Sequence, residues 1–223
     1  GGSGVVATEL GIELSKKGYE IHFITYNQPV KLELLSNKVH YHEVMVPDYP
    51  LFHYQPYELA LSTKVVDMVK KHQIELLHVH YAIPHAYAAY MAKNMLKYQG
   101  INIPVVTTLH GTDITLVGSH PSYKAAVEFS INKSDAVTAV SESLKKDTEE
   151  LFSIDTNIEV IPNFINLEKY PLGRKENNRS IIAKSDEKII CHISNFRKVK
   201  RIDDVINTFY KINKKIPSKL MMV

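Results

Sequence analysis

The sequence predicts an α/β protein with parallel sheets, organised as two doubly wound units, and three observations predict it. Short apolar, β-branched runs alternate with helical-period segments along the chain, the pattern of strand–helix–strand crossovers. The alternation lapses once, from Tyr170 to Lys184, into charged and polar residues with Pro171 and Gly173, and then resumes. The charge steps at the same place. Residues 1–168 carry 13 lysines, no arginine and 19 acids, a balance of −6, whereas residues 169–223 carry 14 lysines plus arginines against five acids, a balance of +9. The expected organisation is an N-terminal unit over 1–168, a linker over 169–185 and the beginning of a second α/β unit over 186–223.

The elements follow in order. Val5 to Lys16 is a helix, with Val6, Leu10 and Leu14 on one face and Gly18 closing it. Glu20–Thr25 and His40–Val46 read as strands. Tyr57–His72 places Leu61, Val65, Met68 and Val69 on one helical face. Strand Glu75–His80 leads to a helix over Pro84–Tyr98, opened by proline in its first turn. Pro104–Leu109 is a β-branched strand, Pro121–Lys133 a helix, and Ala136–Val140 a strand. Ser141 then caps a helix running to Phe152, and Ile158–Ile161 is a short strand ended by Pro162. After the linker come strand Lys188–Ser194, helix Arg201–Lys214 and strand Lys219–Val223.

Composition sets further bounds. With 223 residues, 44% apolar and 23% charged, the chain can bury a core, which excludes disordered and fibrous classes. No apolar run approaches the ~18 residues of a bilayer-spanning helix. Four arginines are too few for a base-reading basic stripe, so nucleic acid is not an expected partner. The lone Cys191 allows no internal disulfide and favours a reducing, cytoplasmic compartment. A start on Gly1-Gly2-Ser3-Gly4 without Met, and an end on Leu220-Met221-Met222-Val223, are expected of a segment cut from something longer. A strand before the first helix and most of the second unit would then lie outside it.

Three clusters carry chemistry. Gly2-Ser3-Gly4-Val5-Val6-Ala7 fits G-x-G-x-x-A at the start of a helix, where glycines admit a phosphate and free amides donate to it; the competing reading is a tight turn that needs glycine. A nicotinamide cofactor would want an acid after the second strand, and Thr25-Tyr26-Asn27 supplies none. His78, His80, His85, His110 and Asp113 could be read as a metal set, but no acid-rich ligand group accompanies them, and His78 and His80 are expected on opposite faces of their strand. The stronger inference is positional: His80-Tyr81 and His110-Gly111-Thr112-Asp113 each end a strand, on the side where open parallel sheets bind ligands. Finally, Ser194-Asn195-Phe196-Arg197-Lys198-Val199-Lys200-Arg201 sets four cations at a strand end before a helix, an anion clamp, with an import signal or a solvated surface as the alternatives. Glycine and polar groups in one unit and cations in the other suit a diphosphate leaving group, with no obligatory metal.

In this order the glycine loop, His110-Gly111-Thr112-Asp113, Thr138-Ala139-Val140-Ser141, Ile161-Pro162-Asn163 and the Asn195–Arg201 cluster resemble the retaining family 4 glycosyltransferases of two-Rossmann-domain, GT-B architecture. The runs His78–His85 and Leu109–Ile114 look closest to those members that join N-acetylglucosamine from its UDP donor to L-malate, the opening step of bacillithiol synthesis. The resemblance implies a UDP-sugar donor and a small anionic acceptor as partners and no cofactor. It implies His110 beside the transferred sugar and Lys200 on the donor diphosphate, joined by Arg197 and Asn195 and approached by Gly2, Ser3 and Gly4. Tyr81 and Thr112, with Ser3, would face the acceptor carboxylate. Retention is expected by same-face attack, with the leaving phosphate taking the acceptor proton.

The chain departs from the family pattern in places. Ser194-Asn195 stands where Gly-Arg is usual, which moves the diphosphate arginine to Arg197, and Asn163-Phe164-Ile165-Asn166 replaces Asn-Gly-Val-Asp. The acidic Glu-x7-Glu segment and the uracil and ribose contacts are expected outside this chain. The absence of arginine before residue 174 leaves a dianionic acceptor to lysine, hydroxyls, amides and helix ends. The residues leave open a family member with another acceptor (a glycan, a lipid-linked sugar or a polyol), a non-catalytic nucleotide-binding module, and a homo-oligomer.

Overall fold

A computed structural model of the chain describes residues 2–29, 37–48, 54–168 and 179–223. Two compact units emerge, Gly1–Asn166 and Leu167–Val223. Of the expected linker, 169–178 (Tyr170, Pro171 and Gly173 included) lie outside the described residues, as does Gly1, and Arg179–Ile182 forms a single helical turn, α6.

The first unit runs α1 (Gly2–Lys16), β1 (Ile21–Thr25), β2 (Val39–Glu43), α2 (Tyr57–His72), β3 (Leu77–His80), α3 (Tyr87–Tyr98), β4 (Val105–Leu109), α4 (Pro121–Asn132), β5 (Ala136–Ala139), α5 (Glu142–Leu151) and β6 (Ile158–Val160). All strand pairings are parallel, as crossover helices require. The strands form two blocks, β1–β2 and β3–β4–β5–β6. A core of Leu61, Val65, Val66 and Val69 from α2, with Ala88, Ala92 and Leu96 from α3, takes in Leu77, Val105 and Val44, and Ile24 of β1 packs against it. A second core gathers Leu109, Ile114, Val127, Ile131, Val137 and Ile158. The α2 face is therefore the one its periodicity indicates.

The first helix differs from expectation. Its buried residues are Thr8 and Gly11, whereas Val6, Leu10 and Leu14 are half-buried. The apex of contact is Gly11, where a Cβ would run into the Phe23 ring, so bare backbone sets how closely α1 lies on β1. Gly18 closes the helix with φ near +103°, as read from the sequence. The Ser141 hydroxyl accepts from Leu144 N at 3.2 Å and caps α5 as expected.

Pro84 does not open a helix. Ala82–Ala86 forms a wide turn and α3 begins only at Tyr87. The residue before a proline is driven out of the helical region, and Ile83 sits at φ −128°, ψ 143°. A second wide turn, Thr112–Leu116, follows β4.

The second unit has β7 (Lys188–His192), a 3-10 turn over Lys198–Lys200, α7 (Ile202–Asn213) and β8 (Ser218–Met222), with β7 and β8 parallel. Beyond β7 the ladder persists as Ser194 N donating to the Val223 carbonyl at 3.0 Å.

Candidate functional site

Three chain segments meet where β3 and β4 end. The parallel register pairs His80 with Thr108, one residue before β4 ends at Leu109, so Tyr81 and His110, the first residues past each strand, leave the sheet at the same end. His80 Nδ1 and His110 Nε2 share a hydrogen bond at 2.8 Å, and their rings are 5.1 Å apart. The Tyr81 ring lies 5.1 Å from that of His110, and its hydroxyl bonds the Ser3 hydroxyl in the first turn of α1. The structure thus brings Ser3, Tyr81 and His110 together. Thr112 sits exposed at the head of the turn after His110.

Tyr81 is held in an uncommon backbone state, φ 83° and ψ 137°. Its N donates to the Thr108 carbonyl at 2.9 Å, and its own carbonyl accepts from Ala86 N at 3.1 Å. Such a conformation in a non-glycine residue costs about 1–3 kcal/mol and persists only where the surroundings over-determine it. Gly111, at φ 104°, is the turn's one position where conformational freedom is required; a Cβ there would have space, and strain alone selects glycine.

Asp113 organises both turns. Only 3% exposed, its carboxylate accepts from His110 N (3.1 Å) and Gly111 N (3.0 Å) through Oδ1, and from Ala82 N (2.9 Å) through Oδ2. That ties the turn after β4 to the turn after β3 and spends the carboxylate on backbone donors. His85 Nδ1 donates to the His80 carbonyl at 2.6 Å. The four histidines and Asp113 weighed as metal ligands form a hydrogen-bonded brace, and among the described residues their ligand atoms do not gather into a group of three that could hold an ion. The placing of His78 and His80 on opposite faces is corrected as well. Residues two apart on a strand share a face, and these rings stack at 4.9 Å and 15°. His78 Nε2 continues to Thr108 Oγ1 (2.8 Å), and Thr108 to Thr138 (2.8 Å).

Burial governs the charge state here. It pushes His80 down to about 3, with His78, His110 and His85 adding to the shift. It lowers His78, His85 and His110 too, opposed at His110 by Asp113. The group is a set of neutral imidazoles at pH 7. For His80 the folded-state value lies below the unfolded one, so the unfolded chain takes up the proton first. Its effect on stability is nil well above pH 6.5 and grows unfavourable as pH falls toward about 3, by about 1.4 kcal/mol per pH unit for a single group. We expect the urea midpoint of the chain to be flat from pH 8 to 7 and to fall between pH 6 and 5. His80→Gln should flatten that fall; an unchanged slope would count against this assignment.

Gly2 and Gly4 lie inside α1, not in a tight turn: neither has a positive φ, and a Cβ on either would meet none of the described residues. The tight-turn reading is thereby overturned. Packing against the described residues makes no demand for glycine at either position.

In the second unit Asn195, Arg197 and Lys200 are all exposed at the strand-to-helix turn. The Asn195 carbonyl accepts from Arg197 N (2.7 Å) and the Arg197 carbonyl from Lys200 N (2.8 Å), which fixes the order of the cations along the turn. Arg201 does not add to a four-cation clamp. Its Nε pairs with Asp204 in the first turn of α7, where Asp203 also stands, so the helix start satisfies itself with its own acids. Three cations remain, Arg197, Lys198 and Lys200.

Parallel α/β units whose polar groups gather at strand ends beside a helix N-terminus have the arrangement in which open α/β sheets bind their ligands. Residues 1–169 match the profile of glycosyltransferase family 4, and the chain belongs to that family. Among relatives, an N-acetyl-alpha-D-glucosaminyl L-malate synthase of Bacillus anthracis is 46% identical over 224 residues, spanning all of this chain and 58% of that protein. An uncharacterized glycosyltransferase of Methanocaldococcus jannaschii is 26% identical over 152 residues, 68% of this chain and 40% of the relative. The chain thus spans about half the length of the curated relatives it matches. In fold it is similar to sucrose-phosphate synthase from Thermosynechococcus elongatus (TM-score 0.70, 17% identity, all of this chain and 56% of that one). It is likewise similar to a glycosyltransferase from Rickettsia africae (TM-score 0.66, 16% identity, all of this chain and 65% of that one). Among the described residues no helix is long and apolar enough to cross a membrane.

Proposed function

We propose that this chain belongs to a retaining glycosyltransferase that moves N-acetylglucosamine from its UDP donor to the hydroxyl of L-malate. The observation that carries the reading is the 46% identity running the whole chain to a relative named for that product. The grouping of Ser3, Tyr81 and His110 at the strand ends supports it, because hydroxyls, a helix N-terminus and a neutral imidazole are the groups this arginine-free unit offers a dianion and a sugar. Malate enters beside Ser3, Tyr81 and Thr112. In the second unit Arg197 and Lys200, with Asn195, serve the donor diphosphate, and in the first unit the bare backbone at Gly2 and Gly4 suits the close approach of a phosphate. In the transfer the bond from C1 to the β-phosphate oxygen breaks and a bond from C1 to the malate hydroxyl oxygen forms on the same face. The hydroxyl proton passes to the leaving phosphate. His110 lies by the sugar and stabilises charge at the reacting centre. No metal and no cofactor enters this scheme, and the compartment is the cytoplasm, in keeping with a single free cysteine, Cys191.

The test is turnover by the protein at the full length of its Bacillus relative, supplied with UDP-N-acetylglucosamine with and without L-malate and read by mass spectrometry. A malate-dependent glycosyl-malate product is expected. Binding of the UDP-sugar without that product would move the assignment to another acceptor, and no binding would remove the diphosphate role of Arg197 and Lys200.

A further inference from the structure

A second histidine group lies on other elements of the first unit. His22 of β1 pairs in register with His40 of β2, and His40 and His42, two apart, share a face with it. His72, the last residue of α2, comes over the same face. The His22 ring stacks on His40 (4.7 Å) and His42 (5.1 Å), and the His72 ring stands 4.6 Å from His22 and 5.1 Å from His42. One ring nitrogen from each of His22, His42 and His72 lies within 4.8 Å of the other two. None of these residues takes part in the His80–His110 group.

We propose that His22, His42 and His72 form a binding site for one divalent transition-metal cation, of which Zn2+ is the best fit. Three imidazoles with an open fourth position are a borderline-soft donor set, suited to zinc, cobalt, nickel or copper and unsuited to magnesium or calcium. His72 Nε2 is buried and has no hydrogen-bond partner among the described residues, which leaves this donor atom available to an ion. His22 Nδ1 and His42 Nε2 already face each other at 2.8 Å. Zinc–nitrogen bonds of about 2.0–2.1 Å at a tetrahedral angle need roughly 3.3 Å between ligand nitrogens, so the pair opens by about half an ångström to admit the ion.

The surroundings favour the ion as well. Glu20 Oε1 lies 3.4 Å from His22 Nε2, on the opposite side of the ring from His42, where a carboxylate orients a metal-bound imidazole. The same oxygen lies 3.0 Å from His40 Nε2. His72 ends α2, whose carbonyl end carries partial negative charge. The site stands on the strand pair and α2, and the transfer chemistry proposed above does not pass through it.

The experiment uses the full chain, stripped with chelator and titrated with Zn2+ against a chromophoric competitor, then with Co2+. One zinc per chain is expected, with the intense visible absorption of low-coordinate cobalt. His42→Ala and His72→Gln should each weaken zinc by about tenfold or more. Zinc-edge X-ray absorption on the unaltered chain covers the case in which a variant does not fold: a shell of nitrogen and oxygen at about 2.0 Å with imidazole scattering is expected. A sulfur shell would place the ion on Cys191 and overturn the proposal. So would the absence of stoichiometric binding, which would leave the four rings as a stacked packing cluster, or unchanged affinity in both variants.

Discussion

Asp113→Ala is expected to lower the unfolding free energy of the chain by about 3–5 kcal/mol, read as a fall in urea midpoint at constant slope. The carboxylate accepts three backbone N–H groups, and the one from Ala82 is buried. Each bond to a charged acceptor is worth about 1.5–3 kcal/mol, and deleting the acceptor strands the donors with no water to replace it at Ala82. Asp113→Asn separates shape from charge. Its carboxamide oxygen can still serve His110 and Gly111, but its NH2 then opposes the Ala82 N–H, so about 1–2 kcal/mol should be lost. A midpoint for Asp113→Ala within error of the unaltered chain would show that the two turns hold without the brace.

The same residue shows where sequence reading stopped. His110-Gly111-Thr112-Asp113 stood out as a polar cluster at a strand end, and its position at that end was legible from the β-branched run Val105–Leu109 alone. Tyr81 meeting His110 followed from placing two strand ends side by side. What Asp113 does was not legible, because Ala82 lies 31 residues away and reaches it only through the wide turn before α3. That turn was hidden by Pro84, whose place a few residues past the strand reads equally well as a helix start. The His22–His42–His72 group was hidden for a similar reason: spacings of 20 and 30 residues carry no local periodicity, and only the β1–β2 register with α2 laid across it assembles the rings. The alternation His40-x-His42 and Glu20-x-His22 was the available signal, since residues two apart on a strand share a face. The same rule, applied to His78 and His80, would have given their stacking. In the second unit, the cation run was legible as a run, but the diversion of Arg201 to Asp204 depends on the helix beginning at Ile202.

His110→Ala is expected to lower kcat of the proposed transfer by about 10²–10³-fold, equivalent to about 3–4 kcal/mol of lost transition-state stabilisation, while UDP-sugar affinity stays within a few-fold. Two different supports hold this residue. Its backbone N is fixed by Asp113 and its ring by His80, so removing the ring leaves the turn tied and the strand ends in place. Thermal unfolding of His110→Ala should therefore stay close to the unaltered protein, in contrast to Asp113→Ala. His80→Gln supplies the intermediate case. It keeps the His110 ring but removes the nitrogen that orients it, and it deletes the neighbour most strongly pushed toward the neutral form. A positioning role for His80 predicts a smaller loss in kcat together with a shifted acid limb of the pH–rate profile, because the remaining imidazole then titrates in a different environment. A purely structural role predicts reduced stability with that limb unmoved. If His110→Ala turned over normally with donor affinity intact, the imidazole would not be at the reacting centre, and the Ser3–Tyr81 hydroxyls beside α1 would be left as the polar groups that the first unit brings to the acceptor.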